Sequence, residues 1–373
     1  MITIQGKYSS AIVYTDELDP SAEGQIRTLC NQPFTVKSNI AIMPDVHAGK
    51  GCTIGTTMTV GEFVVPCLVG VDIGCGMLTV RLKEKRINFP ALDSFIRKNI
   101  PCGRDVRVRP HKSYKRINLE ELRCYRKFDF RRAEESLGTL GGGNHFIEVD
   151  TDDEQNLYLV IHTGSRNPGL RVAEFYQKIA YDSVGGRKQN EIAYELSPLT
   201  GDDKDDYLAD MKLMQQFAAL NRQIIKEEIL NGMKLHEEEE FTTVHNYIDA
   251  DEMILRKGAV SANKGERLLI PLNMRDGSII CTGLGNKSTN YSAPHGAGRK
   301  YSRKDAASNF TLSAFKSSME GIFTTSVSRE TIDECPMAYK DMNEILQNIK
   351  DMVTVDKIIK PIYNFKASEH RRR

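Results

Sequence analysis

Apolar residues along this 373-residue chain come mostly in short runs broken by glycine, asparagine or charge, and only a few segments carry a long helical stripe. Such runs predict strands over 10–15, 39–44, 53–60, 62–70, 241–246 and 278–284, with two further short apolar segments at 146–149 and 160–161. Asp19-Pro20 supplies an N-cap and a first-turn proline for a helix to about Cys30, and Asn167-Pro168 does the same for a helix over 168–183. The longest predicted helix covers about 204–232, where Tyr207, Met211, Met214, Phe217, Ile224 and Leu230 recur at near-helical spacing and read as core packing. Shorter helices are predicted at 91–99, 118–127, 131–137 and from about Pro336 to Met352. Arg104 to Pro110 alternates charge with apolar residues, as on a strand with one charged face. The tail, His370 to Arg373, is expected to fray. No repeat, linker or low-complexity tract interrupts this order. The pattern points to an α+β fold, with mixed sheets flanked by helices in one compact domain over 1–373.

Composition narrows the class. Apolar content of 40% and charged content of 27% are those of a globular chain, and no apolar run reaches the roughly 20 residues that span a bilayer. The N-terminus lacks the pattern of a secretory signal, so a cytoplasmic protein is expected. Its eight cysteines form no Cys-x-x-Cys pair, which suits reduced thiols that are mostly buried. Net charge is only +1, yet residues 81–132 hold 17 Lys/Arg against 6 Asp/Glu. A basic block of that kind suits a nucleic-acid phosphate backbone.

The candidate chemistry concentrates in glycine-rich turns. Five of the eight histidines (47, 145, 162, 245 and 295) fall in glycine- or asparagine-flanked turns at predicted strand ends, where sites converge. Asp72 and Cys75 sit in Val69 to Met77, a stretch too rich in glycine for a stable helix. Imidazoles with one thiolate and one carboxylate suit Zn²⁺, Mn²⁺, Fe²⁺ or Co²⁺. Asp72, Cys75, His145, His162 and His245 would suffice for two adjacent ions if the thiolate bridged, an arrangement that clamps phosphoryl oxygens. The chain has neither a P-loop nor the Lys-x-Asp-Gly run of lysine-nucleophile ligases. His295, held between Pro294 and Gly296, is an alternative nucleophile toward phosphorus, with Arg299 four residues on to neutralise phosphate charge.

Met43-Pro44-Asp45-Val46-His47, Val71-Asp72-Ile73-Gly74-Cys75-Gly76, Gly141-Gly142-Gly143-Asn144-His145-Phe146-Ile147-Glu148, His162-Thr163-Gly164-Ser165-Arg166, Val244-His245-Asn246, Arg256-Lys257-Gly258-Ala259 and Ala293-Pro294-His295-Gly296-Ala297-Gly298-Arg299 resemble, in order, the motifs of the RtcB family. These are GTP- and manganese-dependent RNA ligases. The resemblance implies sealing of RNA 3′-phosphate or 2′,3′-cyclic phosphate ends to 5′-hydroxyl ends, in tRNA splicing or RNA repair. It implies two Mn²⁺ on Asp72, Cys75, His145, His162 and His245, with Cys75 as the bridge, and His295 as the residue guanylylated by GTP. Asn144, Glu148, Asn246, Asn273, Gly296, Ala297, Gly298 and Lys366 would contact the guanylate, and Arg166, Arg299 and the 81–132 block would bind RNA. Residues 336–366 would form the guanylate-side segment, and an activating protein partner is compatible with this reading.

The chain departs from the family at several points. Asn273 stands where a guanylate-contacting serine is usual, Thr163 replaces a serine, and Asn167-Pro168 replaces a glycine–hydrophobic pair. A seven-residue tail follows Lys366 instead of a terminal Lys-Gly. Two other functions compete: a dinuclear metal phosphoesterase acting on RNA terminal or cyclic phosphates, and a non-catalytic, metal-stabilised RNA-binding protein.

Overall fold

The computed structural model of the chain describes residues 1–185 and 192–367. In chain order its strands are β1 (Ile2–Gln5), β2 (Ser10–Val13), β3 (Ile40–His47), β4 (Ile54–Thr59), β5 (Gly76–Leu82), β6 (Phe146–Thr151), β7 (Leu157–Thr163), β8 (Glu237–Val244), β9 (Asn246–Asp249), β10 (Ile254–Lys257), β11 (Ala259–Ser261), β12 (Arg267–Asn273), β13 (Gly277–Gly283), β14 (Ser292–Pro294) and β15 (Val353–Lys366). The α-helices are α1 (Pro20–Cys30), α2 (Pro66–Val69), α3 (Phe89–Asn99), α4 (Arg131–Ser136), α5 (Arg166–Ser183), α6 (Gly201–Met233), α7 (Arg303–Asn309), α8 (Leu312–Ser318) and α9 (Met342–Asn348).

Two large sheets carry the fold, as the α+β expectation requires. One runs β1-β2-β3-β4-β10-β9, antiparallel except for the β2–β3 pair. The other runs β12-β13-β15-β6-β7-β5-β8 and is antiparallel throughout. Strands β11 and β14 pair separately. Helix α6 lies against β5 and β7 and is flanked by α3 and α5. Its predicted stripe explains why: Tyr207, Met211, Met214, Phe217 and Ile224 are all buried. The acidic run Glu237 to Glu240 turns out to be edge strand β8, whose charges are taken up by Lys226 at 2.7 Å and by Arg267 at 3.1 Å. Charge along an edge strand discourages further pairing.

Local capping works as expected in α1, where the Asp19 carboxylate accepts from the Ser21 and Ala22 amides at 2.8 and 3.1 Å. Other expectations need correction. Residues 104–110 are irregular instead of a strand, because among the described residues no strand pairs with them. Arg107 instead anchors the loop, donating to the Leu137 and Gly138 carbonyls and pairing with Glu228, while Val108 is 94% exposed. The 118–127 segment breaks into 3₁₀ turns at Leu119–Glu121 and Tyr125–Lys127. Within 62–70 the chain forms the short helix α2, started by Pro66. The 336–352 segment holds only a 3₁₀ turn at Pro336–Ala338 and α9, which restarts because Asp341 caps the Asn343 amide at 2.9 Å. Helix α5 begins earlier than expected, at Arg166.

All eight cysteines are unbridged, and all but Cys102 are buried. Among the described residues no helix is long and apolar enough to cross a membrane. The tail from His370 lies outside the described residues.

Candidate active site

Sheet order explains how distant motifs meet. Strands β6, β7, β5 and β8 are neighbours, and their register aligns Phe146 and Met77 with His162, and Gly76 with Val244. His145 immediately precedes β6, His162 lies near the end of β7, Asp72 and Cys75 lead into β5, and His245 follows β8. The donors therefore emerge side by side at one end of the sheet. Gly164 lets the Asp72 loop close in, since a Cβ there would stand 2.2 Å from Asp72 Oδ1.

The resulting cluster has two overlapping triplets, Cys75–His162–His245 and Asp72–Cys75–His145, whose ligand atoms lie within 4.8 Å of one another. Cys75 Sγ is 3.3 Å from His162 Nε2 and 3.5 Å from His145 Nε2, and it belongs to both triplets. His145 Nε2 is 3.0 Å from Asp72 Oδ2, and His162 Nε2 is 3.1 Å from His245 Nε2. The rear nitrogens of two rings face carbonyls: His145 Nδ1 donates to Leu140 O at 2.8 Å and His162 Nδ1 to Asn144 O at 3.1 Å. With Nδ1 the donor to a carbonyl, the His162 Nε2 lone pair points inward at the Cys75 sulfur and His245 Nε2, while His145 Nε2 faces the Asp72 carboxylate and Cys75 Sγ. Lone pairs so arranged repel unless a cation lies among them, which is the orientation that carbonyl partners impose on metal-binding histidines. The donor set fits a pair of divalent ions.

Electrostatics point the same way. Burial, reinforced by the neighbouring imidazoles, pushes His162 and His245 well below the usual histidine range, so both rings are neutral and keep a lone pair that a cation could use. Burial raises Asp72, but the hydrogen bond and charge of His145, with Arg166, outweigh it and hold the carboxyl at about 2. Burial and Asp72 push the Cys75 thiol well up, a shift that cation binding reverses.

His295 stands beside this cluster, its ring centroid 4.8 Å from that of His245. The fully buried Asp45 carboxylate accepts from His295 Nδ1 at 2.6 Å and from the His295 amide at 3.1 Å. Gly298 makes room for this contact, since a Cβ there would stand 2.6 Å from the Asp45 carbonyl oxygen. Asp45 thus fixes the tautomer that leaves the Nε2 lone pair free.

A cleft of about 1060 Å³ opens next to His295. Asn144, Glu148, Asn273, Gly296, Ala297, Gly298, Arg299 and Lys366 all line it, with His162. Asn246 does not. Its side chain accepts from the Gly258 amide at 3.0 Å and donates to Asp72 O at 3.3 Å, bracing the ligand loops. Arg166 packs over Gly141 behind the cluster, 3.5 Å from His145 Nδ1. Arg299 is already engaged, by the Asp333 carbonyl, by Glu334 at 3.4 Å and by Tyr339 at 3.2 Å. Lys366 forms an ion pair with Glu334. Burial raises the Glu334 carboxyl, but Lys366, Arg303 and Arg299 outweigh it and bring it to about 2.

Two residues of α6 hold the loops together from behind. Arg222, buried, donates to Gly74 O at 2.9 Å and to Thr163 O at 2.8 Å. Asn221 accepts from the Gly138 and Thr139 amides at 2.7 and 3.1 Å, and donates to Thr139 O at 3.0 Å and Gly164 O at 3.3 Å. Neither these residues nor the role of Asp45 is apparent from the chain alone, although Asp45 stands inside a quoted motif.

The profile described as tRNA-splicing ligase RtcB matches residues 25–128 and 111–367. The chain belongs to the RtcB family. It is 31% identical to the RNA-splicing ligase RtcB of Escherichia coli K12 over 91% of this chain and 92% of that protein. It is 29% identical to RNA-splicing ligase RtcB2 of another E. coli strain, over 87% and 85% of the two chains. An archaeal RtcB, the tRNA-splicing ligase of Aeropyrum pernix, is 28% identical over 90% of each chain.

Proposed function

We propose that this RtcB protein is an RNA ligase that joins 3′-phosphate or 2′,3′-cyclic phosphate ends to 5′-hydroxyl ends, in cytoplasmic tRNA splicing or RNA repair. Family membership supports the ligase activity. The observation that carries the mechanism is a half-buried imidazole oriented by the buried Asp45 carboxylate, directly beside a two-triplet donor cluster. Asp72, Cys75, His145, His162 and His245 would hold two Mn²⁺ ions, with Cys75 common to both. When bound, such ions neutralise charge on phosphoryl oxygens and polarise them.

The chain's own groups account for the rest. With Nδ1–H held by Asp45, His295 Nε2 attacks the α-phosphate of GTP, forming an N–P bond and expelling pyrophosphate. The GMP then passes to the RNA 3′-phosphate, and the 5′-hydroxyl attacks that phosphate and releases GMP. Asn144, Glu148, Asn273, Lys366 and the Gly296–Gly298 turn are suited to the nucleotide because they wall the cleft beside His295. Exposed Arg104, Arg109, Lys112 and Arg126 of the basic block would take RNA phosphates, with Arg166 nearer the cluster and Arg299 on the cleft wall.

The test is a ligation assay with 3′-phosphate and 5′-hydroxyl RNAs, GTP and Mn²⁺. Joined product that requires GTP and vanishes in His295→Ala supports the reading. Phosphate release without joining, undiminished in His295→Ala, would instead identify a metal phosphoesterase. RNA binding with no product under any divalent metal would identify a binding protein.

A further inference from the structure

Side chains alternate along β6, so Glu148 and Asp150 lie on one face. Asn364 of β15 stands opposite Glu148, and Tyr158 of β7 stands opposite Asp150. Glu148 reaches the cleft, whereas Asp150 sits behind it with no exposed surface. The same sheet carries an apolar cluster of Met77, Val160, Leu269, Ile280 and Ile359, whose Val160 stands opposite Glu148. Glu148 receives the Asn364 amide at 2.5 Å. Neither oxygen of Asp150 meets a hydrogen-bond donor. The group that acts on its carboxyl is Glu148, two residues away on the same face of the strand.

The neighbouring charges are otherwise committed. Lys357 and the Tyr158 hydroxyl both turn to Asp152, at 2.6 and 2.9 Å, and Lys366, though it acts on Glu148, is paired with Glu334. Two carboxyls that act on one another and are shut from water do not both ionise, so one proton is shared between them. Glu148 has an amide donor and a nearby lysine to support its charge. Asp150 has neither.

We propose that Asp150 is a neutral acid that donates its proton to Glu148, keeping Glu148 an anion aimed into the cleft and so positioning the nucleobase of a bound guanine nucleotide. The nucleobase part rests on the nucleotide reading above; the protonation of Asp150 does not. Guanine offers adjacent N1–H and 2-amino donors that a carboxylate accepts, whereas adenine presents an acceptor at N1. A neutral Glu148 would lose that discrimination. The energetics agree in direction: burial lifts Glu148 to about 7 against the pull of its Asp150 and Asn364 hydrogen bonds, while burial and the Glu148 charge lift Asp150 well above the carboxylate range.

The test uses the Mn²⁺-loaded full chain and two variants. Infrared spectra at neutral pH should show the carbonyl stretch of a buried neutral carboxylic acid, lost in Asp150→Asn. Absence of that band overturns the proposal. Binding of a fluorescent GTP analogue is then followed from pH 6 to 8. Asp150→Leu removes the donor, so Glu148 becomes harder to ionise. We expect affinity at pH 7 to fall about tenfold and the pH midpoint to rise by about one unit. Asp150→Asn keeps an N–H donor and should recover most of that loss, a rescue that a purely structural role would not give to binding and pH midpoint together. Wild-type affinity and midpoint in Asp150→Leu would overturn the positioning role. A neutral-acid band in a wild-type protein that binds no GTP would overturn that role along with the nucleotide reading, while leaving the protonation established.

Discussion

Asp45 Oδ2 lies 2.6 Å from His295 Nδ1 and also accepts the His295 backbone N–H, so one buried carboxylate sets both the ring's tautomer and its orientation. Asp45→Asn removes the charge and lets an amide N–H face Nδ1, which favours the wrong tautomer. Guanylylation should slow by about 10²–10⁴-fold, while metal content stays at the wild-type level. Single-turnover labelling with α-labelled GTP, alongside metal analysis, measures both. Unchanged labelling would remove Asp45 from the mechanism.

Cys75 is the one donor common to both triplets, which predicts an asymmetry among ligand variants. Cys75→Ala should lose both bound ions, whereas Asp72→Ala and His245→Ala should each lose one. Mn²⁺ stoichiometry after gel filtration distinguishes these outcomes. Loss of a single ion in Cys75→Ala would contradict a shared thiolate.

Arg222 supplies two hydrogen bonds to loop carbonyls from a fully buried position, and burial lowers its pKa only to about 10, so it remains a cation. Arg222→Met leaves both carbonyls without a donor and should cost about 3 kcal/mol of stability. It should also weaken Mn²⁺ binding, because Gly74 and Thr163 flank three of the ligands in sequence. Urea unfolding and metal titration of the same preparation would check both effects.

Glu334 links acid stability to the cleft. Its carboxyl sits at about 2 against an ordinary value of 4.5, and its side chain is 2% exposed, so the shift corresponds to about 3 kcal/mol. Because the folded value is depressed, this contribution is complete above pH 4.5 and disappears as the pH falls toward 2. The stability gap between wild type and Glu334→Gln should therefore be largest at neutral pH and shrink in acid. A gap independent of pH would contradict the ion pairing of Glu334 with Lys366 and Arg303.

How much of this was legible in the chain depends on whether an interaction leaves a local trace. The residues of the donor cluster did, because each falls in a turn punctuated by glycine or asparagine near a strand end, and Cys75 could be singled out by Asp72 three residues before it. Helix α6 was legible from its stripe. Asn221 and Arg222 were not: they act on backbone groups of loops 57–148 positions away, and backbone partners impose no recognisable motif. Alternation at Arg104 to Pro110 misled because a strand needs a neighbouring edge, and Arg107 instead ties the loop to Gly138. Asn246 carries a motif residue's identity but turns its amide toward Gly258 and Asp72, away from the cleft.

The central claim is that His295 becomes covalently guanylylated. Intact-protein mass spectrometry after incubation with GTP and Mn²⁺, followed by peptide mapping under conditions that preserve N–P bonds, measures this directly. The account predicts a mass increase of one GMP, located on His295 and absent in His295→Ala. A protein that ligates RNA with no such adduct, or carries it on another residue, would contradict it.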